Sequence, residues 1–218
     1  MGLEIVSMLL PEGYLPGRKN GQKMVPKGIT IHETDNTSDG ADALAHGRAL
    51  LSGNIKGRCW HYTTDEQHAV QHLRYWEEGW HAGDGDGDGN NTTIGVEICV
   101  NSNGDYNKAV DNAAKLTALK LKEHKLSIST VEPHKRWSGK NCPQRLLKQW
   151  DSFIKKVKAY MTAETSKEIP VKVNYNGKQI TEGFARDGVT YVPIRAVAEG
   201  MKKKVGWNPK EKVVDIND

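Results

Sequence analysis

Three residues of this chain could together hold a metal ion. His32 ends the apolar run Ile29-Thr30-Ile31, and His134 and Cys142 lie eight residues apart in the polar segment 133–143. Two imidazoles and a thiolate suit zinc. Three protein ligands leave one tetrahedral position open, which is the catalytic arrangement; four would be the structural one. An open zinc turns water into a nucleophile near neutral pH. Each piece alone is a weak signal. A strand-end histidine is commonly a satisfied structural residue, and His-x7-Cys is not one of the usual short zinc-finger spacings.

Other residues could serve such a centre. Glu97 stands in the middle of the run Ile94-Gly95-Val96-Glu97-Ile98-Cys99-Val100. A carboxylate is costly to bury in an apolar strand unless it is paired. It is therefore either an edge-strand residue facing solvent or a general base aimed at a metal-activated water. Lys140 reads as a surface lysine by composition, and as an oxyanion stabiliser if Cys142 is a ligand. His81, in Trp80-His81-Ala82-Gly83, is either a site residue or a loop histidine. In the Asp/Gly run 84–91, counting from Asp84 puts Gly89 at position six as an EF-hand requires, but Gly95 instead of Glu at position twelve. It reads as a rim loop. His46, His68, His72 and His124 show no partner pattern and read as surface or helix residues. Cys59 and Cys99 lie in apolar surroundings and read as buried small hydrophobes.

Secondary-structure elements must place these groups. Residues 1–27 are turn-rich, with Pro11, Gly13, Pro16, Gly17, Gly21 and Pro26. Residues 28–32 read as a buried strand, 39–51 as a helix with Asp39 as a cap, 60–64 and 69–73 as a strand pair joined by 65–68, and 94–100 as a strand. Residues 108–122 and 143–161 fit helices; in the second, Leu146, Trp150, Ile154, Val157 and Met161 recur every three or four positions. The implied fold class is α/β, a central mixed β-sheet flanked by helices. Residues 162–168 have no large apolar side chain and read as a linker. Beyond them the pattern changes to short strands at 171–175, 189–192 and 212–216, an Asn176-Gly177 hairpin turn, and a short helix at 194–203. This gives a small α+β C-terminal domain, with domains at 1–161 and 169–218. So small a unit has a thin core and can pack on the first domain or pair with another copy as a homodimer.

The 218 residues are 37% apolar and 27% charged, ordinary for a globular chain. A net charge of +4 suits an anionic partner such as a cell wall. There is no Lys/Arg stripe interleaved with aromatics, which disfavours nucleic acid. No run approaches the roughly 18 apolar residues of a membrane span, so no membrane partner is expected. Three cysteines without regular spacing argue against a disulfide framework. The N-terminus carries no recognisable secretory signal.

Five blocks in order carry a resemblance: Ile29-Thr30-Ile31-His32-Glu33-Thr34, Trp60-His61-Tyr62, Trp80 through Gly85, Ile94 through Cys99, and His134 through Pro143. Residues from about 24 to 155 resemble the type 2 N-acetylmuramoyl-L-alanine amidases of phages and bacilli, whose fold is shared by the peptidoglycan recognition proteins. The resemblance implies hydrolysis of the amide between N-acetylmuramic acid and L-alanine in peptidoglycan. It implies one catalytic Zn2+ on His32, His134 and Cys142, with Glu97 as acid/base and Lys140 at the scissile carbonyl. His81 and Trp60 fall at the cleft wall as substrate-binding residues. The alternative is a recognition protein that binds peptidoglycan without cutting it; that branch usually lacks the cysteine, which is present here. The tail 171–216 is similar to the repeat named after the copper amine oxidase N-terminal region, through Val189-Thr190-Tyr191-Val192-Pro193 and Val205-Gly206-Trp207. It has no His or Cys, so copper is not implied; a wall-binding role is. The expected setting is a phage or prophage endolysin or an autolysin. It would be made in the bacterial cytoplasm and reach the wall after release, by a holin-type pore if the source is a phage.

Overall fold

The β-branched runs form the middle of a six-stranded sheet in the structure, a computed structural model that describes residues 3–11, 23–162, 169–186, 189–208 and 213–217. The chain divides into two units, Met1–Thr162 and Ala163–Asp218. In the first, β1 (Glu4–Ser7), β2 (Gly28–Glu33), α1 (Ala43–Leu51), β3 (Tyr62–Thr64), β4 (His68–Gln71), α2 (Asp88–Thr92), β5 (Thr93–Ile98), α3 (Tyr106–Glu123), β6 (Val131–Pro133), α4 (Lys135–Ser138) and α5 (Trp150–Thr162) follow one another. The sheet order is β1-β4-β3-β5-β2-β6. All its pairings are parallel except the β3–β4 hairpin.

This order settles what the alternation of β5 means. Ile94, Val96 and Ile98 share one face with Ile29 and Ile31 of β2, where they pack against Ala113, Leu116 and Leu121 of α3 and Phe153 and Val157 of α5. At about 2 kcal/mol for each fully buried large side chain, this layer is the main adhesive of the domain. The opposite face carries Thr30 and His32 of β2 and Gly95 and Glu97 of β5, with α1 over the neighbouring strands. There Ala43 of α1 packs on Val70 and Cys99. One face is core; the other carries the chemistry.

Several elements depart from the sequence reading. The turn-rich stretch 1–27 contains β1, which reaches the sheet edge through parallel pairing with β4. Helix α1 starts later than expected and its cap is Asp42, which accepts from the Ala45 amide at 2.6 Å; the Asp39 carboxylate instead takes the Ser102 hydroxyl. The 143–161 helix is a 3-10 turn, Leu146–Gln149, leading into α5. The short β6 and α4 are too brief to show periodicity. The hairpin loop is an Asx turn, with Asp65 accepting from the Gln67 and His68 amides.

Of the expected linker 162–168, Thr162 ends α5 and the rest lies outside the described residues. The second unit contains an antiparallel sheet of β7 (Ile169–Tyr175), β8 (Lys178–Arg186) and β9 (Val189–Tyr191), then α6 (Ile194–Gly200), then a hairpin of β10 (Lys204–Asn208) and β11 (Val213–Asn217). Asn176 and Gly177 both take positive φ, 50° and 76°, as a two-residue hairpin turn of the primed type demands. Strands β8 and β10 were missing from the sequence reading because Glu182, Gly183 and the lysines interrupt any apolar run. Among the described residues of this unit Ala198 alone is buried as an apolar side chain, a thin core as its size leads one to expect.

Candidate active site

Strand β2 delivers His32 to the chemistry face near its C-terminal end, where it is 1% exposed. Parallel pairing with β6 places His134 one residue past that strand, its amide donating to the Ile31 carbonyl at 3.1 Å. The eight-residue separation then closes on itself. Helix α4 makes one turn and ends on Gly139, whose φ of 76° suits a residue without a Cβ. The chain folds back so that the Lys135 amide donates to the Cys142 carbonyl at 3.0 Å. One donor atom each of His32, His134 and Cys142 lies within 4.8 Å of the others.

The hydrogen bonds around the imidazoles dictate their tautomers. The Thr93 carbonyl can only accept, so His81 presents its Nε2–H there, at 3.2 Å. The His81 Nδ1 is then an acceptor, and His32 donates its Nε2–H to it at 3.0 Å. The Ala82 backbone beside His134 favours the same arrangement there. With its proton on Nε2, the His32 Nδ1 is a lone pair, and it faces the His134 Nδ1 at 2.9 Å. Two lone pairs at that distance repel unless a cation lies between them. Orienting a ligand histidine through its second nitrogen is the usual outer support of a metal site. Burial pushes the His32 and His81 pKa values down, His81 to about 3, so both rings are neutral as ligation requires. The Cys142 thiol is pushed up to about 12, mainly by burial; a cation beside it would reverse that preference. The donor set therefore fits zinc.

Glu33, which the sequence reading passed over, ties the donor residues together. It follows His32, and its carboxylate accepts from the Tyr106 hydroxyl at 2.5 Å, the Arg145 amide at 2.9 Å and the Leu146 amide at 3.0 Å. Its own amide donates to the Cys142 sulfur at 3.5 Å. Arg145 stacks on the Tyr106 ring, 3.7 Å from its centroid. One carboxylate thus clamps the chain that follows Cys142 to the strand that carries His32. The only sequence signal was an acid directly after an apolar strand.

Glu97 lies opposite His32 in the ladder, on a strand interior to the sheet, so the edge-strand reading does not apply. Part of its surface opens into a cavity of 370 Å³, also lined by Thr34, His46, Arg58 and Trp60. Its Oε2 is sealed from water without a hydrogen-bond partner. Burial pushes its pKa up to about 8, against the opposing charges of Lys140 and Arg58. A carboxyl that titrates near neutrality is suited to passing protons. Lys140 lines a small adjoining hollow with Glu33, Asp35 and Cys142, and its charge acts on His32, His134, Cys142 and Glu97.

Trp60 lines the larger cavity, its indole N–H held by Thr63 Oγ1 at 2.7 Å. His81 sits behind His32, its Nδ1 3.0 Å from the His32 Nε2, and is not among the residues lining that cavity, where the resemblance put it on the cleft wall. Gly95 makes room for it: a Cβ there would stand 2.8 Å from the His81 ring. The Asp84 carboxylate accepts from the Gly89 and Asn90 amides, and Asn90 Oδ1 accepts from the His81 and Ala82 amides. The Asp/Gly loop therefore secures the backbone behind the two histidines. His46 and His72 were read as surface or helix residues: His46 lies in α1, buried and lining the cavity, and His72 lies outside any helix, buried against Thr63 Oγ1 at 2.8 Å.

A mixed sheet thus sets a His/His/Cys donor group beside a buried carboxylate. The chain belongs to the N-acetylmuramoyl-L-alanine amidase family, Amidase_2, which it matches over residues 22–145. Residues 172–218 match the copper amine oxidase N-terminal domain. The chain is 46% identical over 151 residues to N-acetylmuramoyl-L-alanine amidase XlyA of Bacillus subtilis (strain 168), covering 69% of this chain and 50% of XlyA. It is 44% identical over 154 residues to N-acetylmuramoyl-L-alanine amidase CwlH of the same organism, covering 69% of this chain and 61% of CwlH. The chain thus spans half to three fifths of these curated relatives. Among solved structures, a mutant endolysin from Bacillus subtilis superposes with a TM-score of 0.67 at 46% identity, over 71% of this chain and 99% of that one.

Proposed function

We propose that this protein hydrolyses the amide between N-acetylmuramic acid and L-alanine in peptidoglycan, with His32, His134 and Cys142 holding one zinc ion. The observation that carries this reading is the pair of facing Nδ1 atoms beside Cys142, next to a cavity lined by Glu97. Zinc in that place supplies the Lewis acidity that makes water nucleophilic near neutral pH. Glu97, poised near neutrality, takes a proton from the attacking water and returns it to the leaving L-alanine amine. Lys140 offsets negative charge developing at the carbonyl and the negative charge of the thiolate. Trp60 walls the cleft that receives the peptide. His81 and Glu33 hold the ligands without touching substrate. The names of the relatives and the endolysin likeness support a wall-lytic role, as a phage or prophage endolysin or an autolysin that reaches the wall after release. The C-terminal domain, residues 169–218, is proposed as a wall-binding module.

The test is digestion of purified Gram-positive walls with and without a chelator, followed by end-group identification. The expected result is new L-alanine amino termini without new reducing sugars, abolished by chelation and restored by zinc. Glu97→Ala should keep its zinc and lose most turnover. Tight wall binding without new ends would instead indicate a recognition protein, and new reducing ends would mean a different bond is cut.

A further inference from the structure

We propose that Arg58, assisted by Lys56, forms an anion subsite in the cleft beside Glu97, and that it reads a free carboxylate on the peptide being cut. The inference rests on the amidase reading and adds to it a chemical class of preferred substrate.

The cavity has a graded lining. Ala45 and Ala49 of α1 form a wall of small side chains, which leaves room for a ligand backbone. Trp60 supplies an apolar surface, and Glu97 is the lining residue that stands opposite His32 in the ladder. Lys56 and Arg58 occupy the segment that follows α1, with exposed side chains. Neither has a carboxylate within ion-pair distance among the described residues. Glu97 is the one carboxylate among the residues that line the cavity. The lining outside Glu97 is thus cationic, and among the described residues no ion pair engages either charge. A volume of 370 Å³ is in the range that takes a small peptide, roughly 300–1,000 Å³.

A planar guanidinium presents paired N–H donors that match a carboxylate, which an ammonium does only as a point charge. A peptide whose scissile carbonyl sits at Glu97 extends along the cleft, and an acidic group on it would meet Arg58. The same peptide with a carboxamide there offers an N–H pair in place of one oxygen and no charge. The contrast between the two is therefore what Arg58 detects.

The experiment compares N-acetylmuramoyl-L-alanyl-D-isoglutamate with its isoglutamine counterpart, each with its γ-carboxyl capped as the methylamide so that only the first carries a carboxylate, on the full chain. Calorimetric binding is measured on metal-free protein, and hydrolysis on zinc-loaded protein. The acid peptide is expected to bind about tenfold more tightly than the amide, the scale of one charge-assisted pair in a partly open site. Raising the salt should shrink the difference. Arg58→Ala should weaken the acid peptide alone and erase the preference, while Arg58→Lys keeps part of it. In turnover the discrimination should fall on KM and leave kcat unchanged. Equal binding of the two peptides by the unaltered chain, binding of neither, or equal weakening of both by Arg58→Ala would overturn the proposal. Discriminating binding without hydrolysis of either peptide would leave the subsite standing and remove the amidase reading. Hydrolysis of both with equal KM would do the reverse.

Discussion

Replacing Glu97 by glutamine should stabilise the metal-free protein in alkaline solution and leave it little changed in acid. The reason is the carboxyl's environment: burial holds its pKa at about 8 against an ordinary 4.5, and its Oε2 has no partner. A group whose pKa is raised on folding binds its proton more tightly in the native state. Its contribution is complete below about pH 4.5 and is lost as the pH rises through about 8, because the unfolded chain gives up the proton freely and the folded chain does not. A gap of about 3.5 pH units, at 1.36 kcal/mol each, sets a ceiling of about 5 kcal/mol on that loss. Glu97 keeps part of its surface in the cleft, so we expect about 2 kcal/mol between pH 5 and pH 8.5. Glutamine carries no ionisation and escapes the loss. Urea unfolding of both forms at these two pH values, with chelator present throughout, reads the difference directly. A Glu97→Gln stability gap that is the same at both pH values would refute the reasoning. It would mean that the carboxyl is already ionised and solvated in the folded protein.

The remaining predictions concern the support of the ligands. Glu33→Gln replaces one acceptor oxygen by an N–H group facing a backbone amide or the Tyr106 hydroxyl; it should cost about 2 kcal/mol of metal-free stability and lower zinc affinity about tenfold or more in chelator competition. Unchanged affinity would remove Glu33 from the support of Cys142. Cys142→Ser should keep the fold and lose most zinc at equilibrium, measured by metal content after dialysis; full occupancy would contradict its role as a ligand. Gly95→Ala drives a methyl into the His81 ring and should destabilise the domain by about 1–3 kcal/mol while weakening zinc binding, whereas a silent substitution would mean that His81 can move without consequence.

Much of this protein follows from local sequence. The runs 28–32 and 94–100 are strands because β-branched residues favour a pleated, packed surface. Helices α3 and α5 follow from apolar recurrence every three or four positions. The donor types His32, His134 and Cys142, and the carboxyl of Glu97, were recognisable by their chemistry. What local sequence does not encode is which strands become neighbours, since parallel pairing joins residues far apart in the chain and no periodicity carries that register. The tertiary fold alone put β5 between β2 and β3, and so set Glu97 beside His32 in the sheet interior. It also turned Glu33 from an unremarked acid into a clamp on the Cys142 segment and placed His81 behind His32. It buried His46 and His72, which no local pattern marked as interior. In each case the deciding contact spans a long stretch of sequence, and a side chain's environment is a property of the packed sheet and loops around it. The sequence therefore determined the reactive groups and the elements that bear them, and the packing decided which of those groups meet.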